Sequence, residues 1–254
     1  MMPIIIKGKL IGNSSPLVCV PITSTGSIEI LASAKEAVRH GVDAIEWRAD
    51  FFDNLSDNQR LREVLEGLRD ITSETVLIVT VRTQPQGGEV SLSSLETYRL
   101  LNEIATAHAA DLIDLEFDCV DDPIPLITRL HDQGSMVIAS THDFSSTPSW
   151  EDIISKLEAM AKIDADILKV AYTPSCRADA FTLMGAVAEF TDTHNIPVIG
   201  ISMGQDGLVS RFASESFGSC LTFGMLGVSS APGQPNAIKL SKTIKHIHSL
   251  YKGV

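Results

Sequence analysis

Cysteine is scarce in this chain. The four present, Cys19, Cys119, Cys176 and Cys220, include no C-x-x-C pair, and Cys19 and Cys220 lie in apolar runs. That pattern argues against zinc and against disulfides, and reads as buried thiols in a reducing cytoplasm. Positive charge is short as well. Twenty Lys and Arg against 32 Asp and Glu leave a formal net charge of −12, which excludes the clustered cations that a nucleic-acid backbone requires. No apolar run approaches the roughly 20 residues of a membrane span. The apolar start between Met1 and Gly12 is too short and too poorly flanked for a signal peptide. The expectation is a soluble, cytoplasmic protein. A dinucleotide fingerprint is also missing. The first strand-like run ends Val20-Pro21-Ile22-Thr23, with no G-x-G-x-x-G after it, which counts against an open doubly wound sheet.

What is present is a repeated alternation. Short apolar runs occur at Leu17–Pro21, Ala44–Trp47, Val76–Val81, Leu112–Leu115, Met136–Ser140, Ile167–Ala171, Val198–Ser202 and Cys220–Gly224. Most are rich in Val and Ile, as strands buried on both faces are. Amphipathic segments lie between them. Ile30, Leu31, Ala34, Ala37 and Val38 form one stripe, closed by Gly41. Ser93-x-x-Glu96 is a capping box, and Ser149 caps a helix bearing Ile153, Ile154, Leu157 and Met160. A last helix from about Asn236 to Tyr251 shows Ile238, Ile244, Ile247 and Leu250. Strand starts are roughly 22 to 36 residues apart, the size of a βαβ unit. Eight such units with no linker predict a single (β/α)8 TIM barrel domain over residues 1–254. The Pro3–Ile11 segment, with Gly8 in its middle, predicts a short hairpin closing the barrel bottom.

Barrel chemistry sits at the C-terminal strand ends. In Ala44-Ile45-Glu46-Trp47-Arg48, side chains alternate, so Glu46 and Arg48 share the inward face. They could form a structural ion pair, or serve a polar ligand. Arg82 ends the third run as a fixed cation suited to a carboxylate or phosphate, and Gly87-Gly88 leave the loop behind it free to move. Asp114 and Glu116 also face inward, with no His nearby at metal-ligand spacing, and read as partners for Lys169 or the arginines. His142 ends the fifth run, where an acid/base group would be placed, whereas the other histidines sit on or beside helices. Lys169, within Ile167-Leu168-Lys169-Val170-Ala171, is the most informative position. Lysines are seldom buried without cause, burial favours the neutral amine, and a neutral amine attacks ketones and aldehydes to form imines. The structural alternative is a Lys–Glu pair with Glu46 or Glu116. Arg211, placed at the start of a helix, could reach the barrel mouth, and the loop Ser229–Pro235 could cover a substrate.

These motifs, in order, resemble those of type I 3-dehydroquinate dehydratase. They are Glu46-Trp47-Arg48-Ala49-Asp50, Arg82 with Gly87-Gly88-Glu89, His142-Asp143-Phe144, Lys169-Val170-Ala171, Ile201-Ser202-Met203-Gly204 with Ser210-Arg211, and Ser230-Ala231-Pro232-Gly233-Gln234. The resemblance runs from the first strand to the last helix. It implies a lyase of the shikimate pathway, on the route to chorismate and the aromatic amino acids, that converts 3-dehydroquinate to 3-dehydroshikimate and water. It implies no metal or organic cofactor, and a homodimer. By resemblance, Lys169 is the imine lysine and His142 the general acid/base. Glu46, Arg48, Arg82, Arg211, Ser230 and Gln234 become substrate-binding residues, with Arg211 on the carboxylate. Two positions depart from the pattern: Gln86 stands where many members carry Glu, and Pro21 where a binding Ser is often found. Two other functions fit the same residues. A Schiff-base aldolase or transaldolase could bind phosphate near Gly204 and Gly207. A catalytically impaired binding barrel would be marked by Gln86 and Pro21.

Overall fold

The computed structural model describes residues 3–12, 15–227 and 229–251. The chain opens with a hairpin, β1 (Ile4–Ile6) and β2 (Lys9–Ile11), antiparallel and joined through Lys7 and Gly8, both at positive φ. Eight parallel strands follow: β3 (Leu17–Ile22), β4 (Ala44–Arg48), β5 (Val76–Thr80), β6 (Leu112–Glu116), β7 (Met136–Asp143), β8 (Ile167–Tyr172), β9 (Val198–Ser202) and β10 (Leu221–Phe223). Their order is β10-β3-β4-β5-β6-β7-β8-β9. The Cys220 amide donates to the Val198 carbonyl at 2.8 Å, which brings the two ends of the sheet together into a nearly closed barrel. The eight strand runs and the bottom hairpin anticipated from sequence are all present.

Around the strands lie α1 (Ser27–Arg39), α2 (Asn58–Ile71), α3 (Ser94–Thr106), α4 (Ile124–Asp132), α5 (Trp150–Ala161), α6 (Arg177–Thr193), α7 (Leu208–Phe212) and α8 (Ala237–Tyr251). The caps follow the sequence signals. Ser93 and Glu96 form the reciprocal capping box on α3, and Ser149 accepts from the Asp152 amide at the start of α5. The α1 stripe buries Ile30, Ala34 and Ala37, and Gly41 just beyond the helix takes the left-handed φ of +69°. One stripe differs from expectation. Helix α8 buries Ala237, Leu240 and Ile244, while Leu250 is exposed. At about 100° per residue, Leu250 is rotated off the face that Ile244 presents to the barrel.

Period-two alternation divides the core into two shells. Outward residues such as Ile45, Trp47, Leu77, Val79, Ile113, Leu115, Leu168 and Val170 pack under the helices. Inward residues, among them Ala44, Val76, Ile78, Leu112, Ile138, Ile167 and Ile199, fill the barrel together with Ile6 and Ile11 of the hairpin. The hairpin therefore plugs the N-terminal end. Lys7 fastens it there, donating to the Thr72 and Thr75 carbonyls and to Asp111 at 2.6 Å. Three aspartates at that end serve the strands directly. Asp43, Asp111 and Asp166 accept the backbone amides of Val18, Leu77 and Val137, each on a neighbouring strand. These bonds satisfy amides at strand starts that would otherwise lack a partner. Apolar filling below leaves the polar inward side chains for the upper end alone.

Candidate active site

At the C-terminal end of the strands, one cavity is lined by all eight residues singled out from sequence: Glu46, Arg48, Arg82, His142, Lys169, Arg211, Ser230 and Gln234. They come from six different strand ends or following loops, and only the closed sheet brings them together.

Lys169 is 4% exposed, and its Nζ lies 3.2 Å from both Glu46 Oε1 and Asp114 Oδ2. The lysine is thus desolvated and ion-paired at once. Its second carboxylate partner is Asp114, not Glu116. Register explains the choice. Ser140 is the β7 neighbour of both Glu116 and Lys169, so a whole strand separates them at that level. Glu116 is taken by Arg82 at 3.0 Å and by the amide and hydroxyl of Thr83. Arg82 also donates to Asp114 at 2.9 Å and to Ser140. Against its own desolvation, Asp114 is held well below the usual carboxylate range by Arg82 and Lys169. Arg82 is likewise held above its ordinary value, the carboxylates of Asp114 and Glu116 outweighing its burial.

The Glu46–Arg48 pair considered from sequence does not form. Glu46 accepts from Thr80 and Lys169, whereas Arg48 makes two bonds of 2.8 and 2.7 Å to Asp50 and lies over the Phe51 ring. A turn of 3-10 helix at Ala49–Phe51 carries Asp50 back to its arginine.

Arg211 differs from the other two arginines. It lies in the last turn of α7, not at the helix start. It is 1% exposed and, among the described residues, donates only to backbone carbonyls, those of Phe223 at 3.3 Å and Pro232 at 3.1 Å, with no partner there for its buried Nε. Burial pushes it down to about 10, which leaves it charged at neutral pH. Among the described residues no carboxylate pairs with it. Three arginines at the rim do not therefore make an evenly positive mouth, because two are already neutralised. The attraction for an anion is concentrated at Arg211.

Gln86 fixes the state of His142. The His142 backbone amide donates to Gln86 Oε1 at 2.9 Å, so the atom facing it is the acceptor oxygen. The same oxygen lies 3.1 Å from His142 Nδ1, so Nδ1 must carry the hydrogen and Nε2 is left with its lone pair free. Burial, Arg82 and Lys169 push His142 well below its ordinary value, so it is a neutral base at physiological pH. A carboxylate at position 86 would oppose that. Gln86→Glu is expected to move the acid limb of the kcat/KM–pH profile upward, towards the ordinary histidine range, because the added charge favours the imidazolium. A superimposable acid limb in the two proteins would show that residue 86 does not set the state of His142.

The loop Ser229–Pro235 covers the cavity. Its Pro232 carbonyl accepts from Arg211 and from the Gly204 amide at 3.2 Å. Gly233, at φ +76°, approaches so closely that a Cβ there would lie 2.4 Å from the Gly204 carbonyl oxygen. Ser230 and Gln234 are joined by two hydrogen bonds within the loop. Because the Gly204 amide serves this loop, it is not free for a phosphate, and the aldolase reading loses that support. Pro21, buried at the end of β3, presents neither hydroxyl nor amide hydrogen.

Phe144, Met203 and Phe223 add apolar walls; the first two lie in the motifs quoted above without a site role, and Phe223 lies in none of them. Phe223 was legible in principle, since Leu221 and Phe223 alternate with Thr222 on the inward face. No inward polar residue on that strand drew attention to it. Asp50 and Ser140 were missed because each acts through another side chain. Among the described residues, no group of three or more His, Cys, Asp or Glu side chains is arranged to hold a metal ion. The described helices include none long and apolar enough to cross a membrane.

Comparison with known proteins gives the same picture. A family model described as type I 3-dehydroquinase matches residues 18–251. A 3-dehydroquinate dehydratase of Clostridium botulinum is 39% identical over 246 residues, covering 96% of each chain. One from Enterococcus faecalis is 34% identical, covering 96% of this chain and 98% of its own. Among solved structures, the 3-dehydroquinate dehydratase of Geobacillus kaustophilus superimposes with a TM-score of 0.94 at 30% identity, covering 97% of this chain and 96% of the other. The type I enzyme of Clostridium difficile, crystallised with covalently modified comenic acid, gives 0.93 at 35% identity, covering 98% and 99%. With a family model spanning nearly its whole length and relatives this similar over their full extent, the chain belongs to the type I 3-dehydroquinase family.

Proposed function

We infer that the protein dehydrates 3-dehydroquinate to 3-dehydroshikimate through a Schiff base on Lys169, as one catalytic domain over residues 1–254. The observation that carries this reading is a buried Lys169 opening into the same cavity as a neutral His142 with Nε2 free, in a chain of this family. The family resemblance also supports a place in the shikimate pathway, a cytoplasmic location and a homodimer.

The substrate's carboxylate goes to Arg211, which among the described residues has no acidic partner, with Ser230 and Gln234 closing over it from the loop. The ring hydroxyls meet Arg82, Arg48 and Glu46, whose charges are already balanced and which offer directional donors and acceptors. Lys169 Nζ passes a proton to His142 Nε2 and attacks the ketone carbon. The new C–N bond gives a carbinolamine, whose hydroxyl takes that proton back from His142 and leaves as water, giving a protonated imine. His142 Nε2 then removes a proton from the neighbouring carbon, and the C–H electrons move into the imine to form an enamine. The enamine pushes out the β-hydroxyl, which takes the proton from His142 and leaves as water. Beside a neutral amide, and not a carboxylate, that imidazolium gives up its proton readily. Hydrolysis of the product imine releases Lys169.

Mixing the protein with 3-dehydroquinate should raise ultraviolet absorbance as the conjugated product forms. Adding borohydride during turnover should add mass to Lys169 alone. Silence in the absorbance at ample protein would favour a binding barrel, and mass on a different residue would sink the mechanism.

A further inference from the structure

The Lys169 Nζ lies 4.7 Å from the centroid of the Phe223 ring. Phe223 is 4% exposed, ends β10 on the inward face and lines the cavity. We propose that Phe223 is a further catalytic residue, whose ring face holds the positive charge of the Lys169 imine. This rests on the imine reading above and deepens it.

A lysine ammonium has three N–H donors. In the free protein, one reaches Glu46 and one reaches Asp114, each at 3.2 Å. Imine formation joins Nζ to the ketone carbon and releases the ketone oxygen as water. The ammonium and the ketone become a protonated imine and water, and one positive charge is conserved. The nitrogen, however, keeps a single N–H. It can no longer donate to both carboxylates, and the substrate carbon occupies the vacated direction. An aromatic face needs no N–H. It attracts the charge through the ring quadrupole, so its contact persists when the hydrogen bonds are reduced. If the ring were lost, the free ammonium could turn its third N–H towards another acceptor, but the imine has no spare N–H beyond the one left to a carboxylate. The ring therefore stabilises the imine more than the resting lysine. The same residue's carbonyl accepts from Arg211, so β10 links the charge-holding face to the anchor for the substrate carboxylate.

The test must leave the backbone and the volume alone. Phenylalanines bearing one, two and three ring fluorines, placed at position 223 of the full chain, weaken the negative ring face in steps. Expected are stepwise falls in kcat/KM and in the fraction of Lys169 trapped by borohydride at a fixed, subsaturating 3-dehydroquinate concentration. The fall should total about three- to tenfold across the series, within the span of such contacts. Phe223→Leu should fall at least as far. If both quantities stay flat across the fluorine series while Lys169 is still trapped, Phe223 is packing alone and the proposal is overturned. Absence of any trapped Lys169, in the unaltered protein too, would overturn the imine reading and this proposal with it.

Discussion

Lys169→Met should show no mass gain with 3-dehydroquinate and borohydride, and no measurable dehydratase turnover. Without an amine there is no covalent route, and neither His142 nor Arg211 can supply an electron sink. The variant should also be less stable, by about 3–5 kcal/mol, the scale of breaking a buried ion pair from one side. The cost falls unevenly on the two carboxylates. Asp114 keeps Arg82 and Ser140 as partners, whereas Glu46 keeps only the Thr80 hydroxyl. Glu46 is therefore left as an uncompensated buried charge. Adding Glu46→Gln to the Lys169→Met protein should recover part of the deficit, since a neutral amide carries no such desolvation cost. Thermal unfolding of the single and double variants would show this. A double variant no more stable than Lys169→Met would mean that Glu46 is not the strained partner.

His142→Ala should lower kcat by roughly 10²–10⁴, the usual worth of a placed acid/base group. Unlike the lysine variant, it should still give a borohydride adduct on Lys169, because the nucleophile is intact. Imine formation and release should slow too, as the same group moves protons in those steps. The loop should hold its place, since Gln86 bonds the His142 backbone amide as well as the ring. A rate within a few-fold of the unaltered protein would assign the acid/base role elsewhere. Loss of both turnover and adduct would make His142 essential to imine formation itself.

Much of this site could be read from the chain because strands alternate and barrels bury their interiors. A lysine between Leu168 and Val170, or a glutamate between Ile45 and Trp47, has one inward direction to take, and its polarity then demands a reason. What could not be read was which charge meets which. Glu46 and Arg48 share a face of one strand and could have paired, yet Arg48 turns to Asp50. Lys169 takes Asp114 because Ser140 stands between it and Glu116. The position of Arg211 depended on α7 being only five residues long. The burial of α8 depended on which side of that helix meets the barrel.

Sequence by itself determined the eight-strand alternation, the inward set of polar side chains, the imine lysine and histidine as candidates, and the family. Each follows from local periodicity or from motifs within a few residues. Tertiary structure alone decided the pairings that give those groups their chemistry. Burial, Arg82 and Lys169 hold His142 as a neutral base, and Gln86 sets its tautomer. Two carboxylates and the Phe223 ring surround Lys169, and Arg211 is left without an acidic partner beneath the Pro232 carbonyl. These contacts join strands and loops far apart in the chain. They depend on ångström distances across a closed barrel, and electrostatic energies change steeply over such distances in a desolvated site.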